Sequence, residues 1–162
     1  MKKLDAKKGI LLDIGCRGNN KQEHFVGMSK IKEDGIDVVH DPEKFPYPFK
    51  DDSCLTIVGH YMVNKIKPWL MIEFMDELWR ILKPHGTLAF SCAYGTSDVF
   101  MQEPFNCNII NFATFQHFDP KYQLWQVYKP KPWKIREGFP VYQTTGTLEI
   151  ILEKRPVNEK VI

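Results

Sequence analysis

Apolar residues fall in short runs separated by glycine- and proline-rich turns. Ile10, Leu11, Leu12 and Ile14 form a compact run that Gly15 and Gly18 end abruptly, which predicts a buried strand entering a glycine turn. A polar stretch follows, and residues 25–28 and 36–40 then predict a second and a third strand. The interval 29–35 is too short for a helix of average length, so one crossover here is abbreviated. Asp41-Pro-Glu-Lys-Phe-Pro-Tyr-Pro-Phe49 predicts an extended loop, because its prolines exclude both helix and central strand. Residues 53–59 are nearly all apolar, the pattern of a fourth strand buried on both faces.

Helical spacing is clearest after Lys67-Pro-Trp69, where Pro68 suits the first turn of a helix. Ile72, Met75, Trp79 and Leu82 recur every three or four residues and predict one apolar stripe, with Glu73, Asp76, Glu77 and Arg80 on the other side. Lys83-Pro-His-Gly86 ends that helix, and residues 87–92 predict a fifth strand. Further on, residues 94–98 read as a polar loop and 111–118 as a short helix. Residues 122–128 and 145–153 read as two late strands flanking a proline- and glycine-broken segment. Strands in this order around a helix predict an α/β sheet with parallel crossovers.

Composition narrows the picture. A chain of 162 residues, 43% hydrophobic and 26% charged, suits one globular domain over residues 1–162. A net charge of +2 gives no strong nucleic-acid signal, and the amino-terminal lysines (Lys2, Lys3, Lys7, Lys8) read as solvated surface. The late aromatics Trp125, Tyr128, Trp133 and Tyr142 sit among prolines and read as packing onto the sheet. Cys16, Cys54, Cys92 and Cys107 form no CxxC pair, so the expectation is reduced thiols, no metal site and a cytoplasmic protein. No apolar run approaches the roughly 20 residues needed to span a bilayer, and Asp5, Lys7 and Lys8 interrupt any signal-peptide core.

The glycine turn lacks the G-x-G-x-x-G of dinucleotide folds, since Asp13 stands where that fingerprint has glycine. Its combination with later motifs is more specific. Leu12-Asp-Ile-Gly-Cys16, then Asp37-Val-Val-His-Asp41 with Phe45-Pro-Tyr-Pro-Phe49, then Phe74-Met-Asp-Glu-Leu-Trp-Arg-Ile-Leu-Lys-Pro-His-Gly-Thr-Leu88 occur in order. Tyr94-Gly-Thr-Ser97 and Phe115-Gln-His-Phe-Asp-Pro120 extend the pattern. This set resembles the class I S-adenosylmethionine-dependent methyltransferases, most closely small methyltransferase-domain proteins of bacteria and phages.

The resemblance implies a Rossmann-like three-layer α/β/α sandwich, with a mostly parallel seven-stranded sheet and an antiparallel last strand. It implies S-adenosylmethionine as cofactor and an unidentified acceptor. By position, Gly15, Cys16 and Gly18 approach the methionine and ribose, and Asp13 orients the turn. Asp41 accepts from the adenine amine with Pro42 near the ring, and Gly59 and His60 lie beside the methionine end. The chain also departs from the family pattern. Ser29 stands where an acid takes the ribose hydroxyls, with Glu33 and Asp34 in the loop that follows. Asn64-Lys65 replaces a Glu-His pair, and Glu103-Pro-Phe-Asn106 replaces an Asp-Pro-Thr-His run. His117, among aromatics, reads as core. No catalytic base is assigned; Tyr61, Asn64, Tyr94, Asp98 and Glu103 are the candidates near an acceptor. A non-catalytic binding or assembly module on the same fold is the competing reading, and a nicotinamide-dependent oxidoreductase a weaker third.

Overall fold

The computed structural model describes residues 9–156; the amino-terminal lysines lie outside them. Five strands run parallel: β1 (Ile10–Ile14), β2 (Val26–Ser29), β3 (Val38–Val39), β4 (Cys54–His60) and β5 (Leu82–Ala93). Three more follow, β6 (Trp133–Ile135), β7 (Val141–Tyr142) and β8 (Thr147–Lys154). The sheet order is β3-β2-β1-β4-β5-β8-β6. The last strand, β8, inserts antiparallel beside β5, as expected. The sheet has eight strands where seven were expected. A strand has only two edges, and β5 fills one edge of β8, so the short β6 and β7 share the other at its two ends.

β1 lies between β2 and β4, which explains why it is apolar except for the buried Asp13: Leu12 and Ile14 are fully buried. The connections from β1 to β2 and from β2 to β3 contain no helix. The long helix, α1 (Met71–Ile81), connects β4 to β5 after a 3-10 turn over Pro68–Leu70. Its buried face is Met71, Phe74, Met75, Leu78 and Ile81, and Glu77, expected on the polar side, is buried as well, where it accepts from the Tyr47 N–H and Arg80. Ile72 and Trp79, expected in the stripe, lie half-buried along its border. The spacing was right and the face was turned by about one residue. The fifth strand begins at Leu82, ahead of the expected Thr87. The chain leaves the helix directly into the ladder, and a bulge absorbs Lys83–Gly86 between the pairs Cys54↔Leu82 and Thr56↔Thr87.

Three late expectations are corrected. Residues 122–128 form no strand; they end in a short helix, α3 (Trp125–Tyr128), closed by a left-handed Lys129. Their composition suits a strand, but the backbone closes into local turns instead, with the Tyr122 N–H on the Asp119 carbonyl and the Trp125 N–H on the Tyr122 carbonyl. The segment between the late strands, read as broken loop, supplies β6, whose Trp133 is fully buried. The expected helix at 111–118 is a 3-10 turn over Thr114–His117, and a four-residue helix, α2 (Asp98–Met101), follows the 94–98 loop. The core runs from Leu12, Ile14 and Met28 through Ile57, Phe74 and Leu88 to Phe115 and Leu152.

Candidate functional site at the carboxyl ends of the central strands

A concavity of about 800 Å³ lies where β1, β2 and β4 end. Open α/β sheets bind ligands at this end, and the volume suits one nucleoside-sized molecule. Gly15 is on its lining in a left-handed conformation (φ +73°). A Cβ there would meet the Met62 sulfur at 2.6 Å, so glycine is required both by the turn and by the methionine packed over it. Ser29, Asp41, Pro42 and His60 line the same cavity, so the structure gathers these expected site residues with Gly15.

The other expected residues stand behind the lining. Asp13 is almost wholly buried, and its Oδ2 accepts from the Gln22 N–H at 2.8 Å. Burial pushes its carboxyl above the ordinary range; the Gln22 hydrogen bond and the nearby His60 and Lys21 pull the other way. Asp13 therefore shapes the loop after β1 and does not face the cavity. Cys16 is buried, with its thiol on the Asp13 carbonyl and pushed up to about 11 by burial.

Gly18 has another reason to be glycine. A Cβ would lie 1.6 Å from the Asp34 carbonyl oxygen, and its N–H donates to Glu33 Oε1 at 2.7 Å. It is where the loops after β1 and β2 cross. Gly59 is a packing glycine, since a Cβ would meet the Phe90 ring at 2.8 Å. For Asp13, Cys16, Gly18 and Gly59 the structure thus shows support of the site's walls where direct approach was expected. One residue in an alternating or turning backbone separates a lining position from a hidden one.

Residues the sequence reading did not single out complete the lining: Arg17, Asn20, Lys30, Met62 and Glu43 among them. Lys30 directly follows β2 and Arg17 lies in the turn three residues past β1, the signal that would have found them. Glu43 receives Lys67 N and Lys67 Nζ at 2.8 and 2.9 Å, and Glu103 pairs with Lys65 at 3.3 Å. A hydrogen bond from the Phe105 N–H, then Lys65, holds the Glu103 carboxyl below its usual range. Asp41 Oδ1 accepts from the Glu43 N–H at 3.1 Å, forming the turn that presents Pro42.

The acceptor-side candidates separate by their bonds. Tyr61 and Glu103 line the cavity, as does Asn106. Asn64 is fully buried and binds both backbone groups of Ala93, donating to its carbonyl at 2.9 Å and accepting from its N–H at 2.8 Å. That amide splices the 3-10 turn over Val63–Lys65 to the end of β5. Tyr94 packs on Phe112 and Tyr142, and Asp98 opens α2. His117, expected in the core, is half-buried on a second concavity of about 550 Å³ beside Trp69 and Tyr128. Its Nδ1 meets the Leu124 carbonyl at 3.1 Å, so that nitrogen carries the proton. The four thiols are free, Cys107 alone exposed. Among the described residues no helix is long and apolar enough to cross a membrane.

No protein-family model and no curated protein matches the chain. Solved structures do. An S-adenosylmethionine-dependent methyltransferase from Archaeoglobus fulgidus superimposes with a TM-score of 0.63 at 13% identity, over 90% of this chain and 86% of that one. The N-methyltransferase NodS from Bradyrhizobium japonicum WM9, in complex with S-adenosyl-L-homocysteine, gives 0.57 at 13% identity over 90% and 78%. The [4+2]-cyclase SpnF gives 0.58 at 12% identity over 91% and 75%. The last shows that this architecture carries more than one chemistry, so activity has to be argued from the site. Strand order, the antiparallel β8 and these likenesses together show that the chain has the Rossmann-like fold of the class I S-adenosylmethionine-dependent methyltransferases.

Proposed function

We propose that the chain binds S-adenosylmethionine in the cavity at the ends of β1, β2 and β4 and transfers its methyl group to a small acceptor. The observation that carries this is the meeting, in one cavity of about 800 Å³, of Gly15 at positive φ with the Asp41–Pro42 turn and His60. The pieces fit the adenosyl group in part. Asp41 offers a carboxylate to an exocyclic amine, Pro42 an apolar edge to a ring, and Gly15 an open backbone surface. When bound, S-adenosylmethionine supplies an electrophilic methyl on a sulfonium.

The chain's own task is alignment of the acceptor and removal of its proton. His60 sits exposed at the end of β4 and its imidazole makes no hydrogen bond among the described residues, so it is the group assigned to take that proton. Tyr61, whose hydroxyl meets Thr147 Oγ1 at 3.0 Å, is held as a fixed wall beside it. Glu43 and Glu103 are committed to lysines and serve to shape the cavity.

Calorimetric titration with S-adenosylhomocysteine tests this reading, with saturable heat expected. Replacing Asp41 by Ala removes a hydrogen bond to a charged group, so affinity is expected to fall about tenfold to a hundredfold. Absence of saturable heat, or an unchanged Kd in Asp41→Ala, overturns the reading. The second reading, a non-catalytic binder, rests on Asn64 and Lys65, which stand where the related pattern has a Glu-His pair: Asn64 holds Ala93 in place and Lys65 pairs with Glu103. It predicts cofactor binding that His60→Ala leaves intact, with no methylated product from either protein.

A further inference from the structure

The end of the cavity formed by the loops after β1 and β2 offers hydrogen-bond donors and has its acceptors engaged. Arg17, Asn20, Ser29 and Lys30 line it. Asn20 Oδ1 accepts from the Arg17 N–H at 2.7 Å, and Ser29 Oγ accepts from the Ile31 N–H at 3.3 Å. Glu33, the acid nearest in sequence, is outside the lining and turned away: its Oε1 takes the Gly18 N–H at 2.7 Å and pairs with Arg17 Nε at 3.1 Å. Asp37 is likewise committed, to Lys21 and the Gly27 N–H.

What remains for a ligand is the Ser29 hydroxyl proton, the Asn20 amide N–H groups, the Arg17 Nη groups and the Lys30 ammonium. None of these donor atoms makes a hydrogen bond among the described residues, although the Arg17 guanidinium is already paired through Nε with Glu33, which leaves Lys30 as the cation without an ion-pair partner there. A ribose diol brings two donors and asks for acceptors, which is why an acid at the end of the second strand suits it in nucleotide-binding sheets. A cation there suits a ribose phosphate instead. A phosphate brings only acceptors and negative charge, the complement of this set.

We infer that this end of the cavity is an anion site, and that adenosine carrying a phosphate on its 2′ or 3′ oxygen binds there in competition with S-adenosylmethionine. The inference rests on the cofactor reading for where adenosine lies. It adds a class of ligand, ribose-phosphorylated adenine nucleotides, that would regulate occupancy of the same site. Asp41 keeps its role at the base, and Lys30 with Arg17 neutralises the phosphate.

Calorimetry with adenosine, adenosine 2′-, 3′- and 5′-monophosphate, inorganic phosphate and S-adenosylhomocysteine tests it. The 2′- or 3′-monophosphate is expected to bind about tenfold more tightly than adenosine, with the gain shrinking as salt rises. Lys30 is exposed, so Lys30→Glu leaves the fold intact and is expected to abolish the gain. Equal binding of adenosine and its 2′- and 3′-phosphates, a gain that survives Lys30→Glu, or inorganic phosphate binding as tightly as the nucleotide overturns the inference. If S-adenosylhomocysteine binds and the phosphates show no gain, this inference alone falls. Phosphates binding where S-adenosylhomocysteine does not would overturn the cofactor reading and, with it, the competition inferred here. Silence from every adenosine compound removes both.

Discussion

The two flanks of the cavity are built by different forces. On the β4–β5 flank, α1 packs Phe74, Met75 and Leu78 onto the sheet, and Phe74 stacks on Phe90 with ring centroids 6.1 Å apart. On the β1–β2 flank the crossovers lack helices, and the loops are tied by polar bonds. Asp13 holds the Gln22 N–H, Glu33 holds the Gly18 N–H and Arg17, and Asp37 holds Lys21 and the Gly27 N–H. Apolar burial is large and indifferent to pH and salt. Polar ties are individually smaller, and they fix orientation. The flank that carries most of the candidate ligand contacts is therefore the one held by weaker, directional interactions.

Substitutions on the two flanks should differ in size and in what they disturb. Phe74→Ala empties a fully buried site and is expected to cost about 3–5 kcal/mol, read from urea unfolding. Gly18→Ala drives a methyl into the Asp34 carbonyl and separates the two loops. It is expected to cost about 1–3 kcal/mol and to weaken S-adenosylhomocysteine binding out of proportion to that loss. A stability loss with unchanged binding would show that the loop crossing does not organise the site.

Asp13→Ala leaves the Gln22 N–H without its partner, an expected cost of about 1–3 kcal/mol, whereas Asp13→Asn keeps an acceptor. Burial raises the Asp13 carboxyl in the folded protein, so folding favours its protonated form. That advantage is complete below the ordinary carboxyl range and is lost as pH rises through the raised folded value. The stability of the native protein relative to Asp13→Asn should therefore fall with rising pH across that window and level off above it. Urea midpoints measured through mildly acidic pH check this. Lys21→Ala removes a partly exposed ion pair with Asp37 and is expected to cost no more than about 1 kcal/mol, an effect that high salt erases.

Much of the architecture was legible from local pattern. β1, β4 and the alternating β8 announce themselves by composition, and α1 by its spacing with Pro68 at its entrance. The run from residue 122 to 128 has a real preference for strand, yet it closes into local turns and the short α3 instead of joining the sheet. The stripe on α1 was misplaced by about one residue because Trp79 looks like core in sequence. In the fold its indole N–H reaches out to the Pro132 carbonyl at 2.9 Å.

The site shows the same division. The sequence by itself determined that a strand ends in an Asp-x-Gly turn and that Asp41–Pro42 begins a proline loop. These depend on local backbone preference and on hydrophobic periodicity. Tertiary structure alone decided which of those residues face the cavity. It placed Asp13 behind the wall, set Gly18 against Asp34, and brought Arg17 and Lys30 to one opening from two different loops. Which side chain meets a ligand depends on how separate strand ends are brought into register. Pairing across the sheet sets that register, and no single segment encodes it.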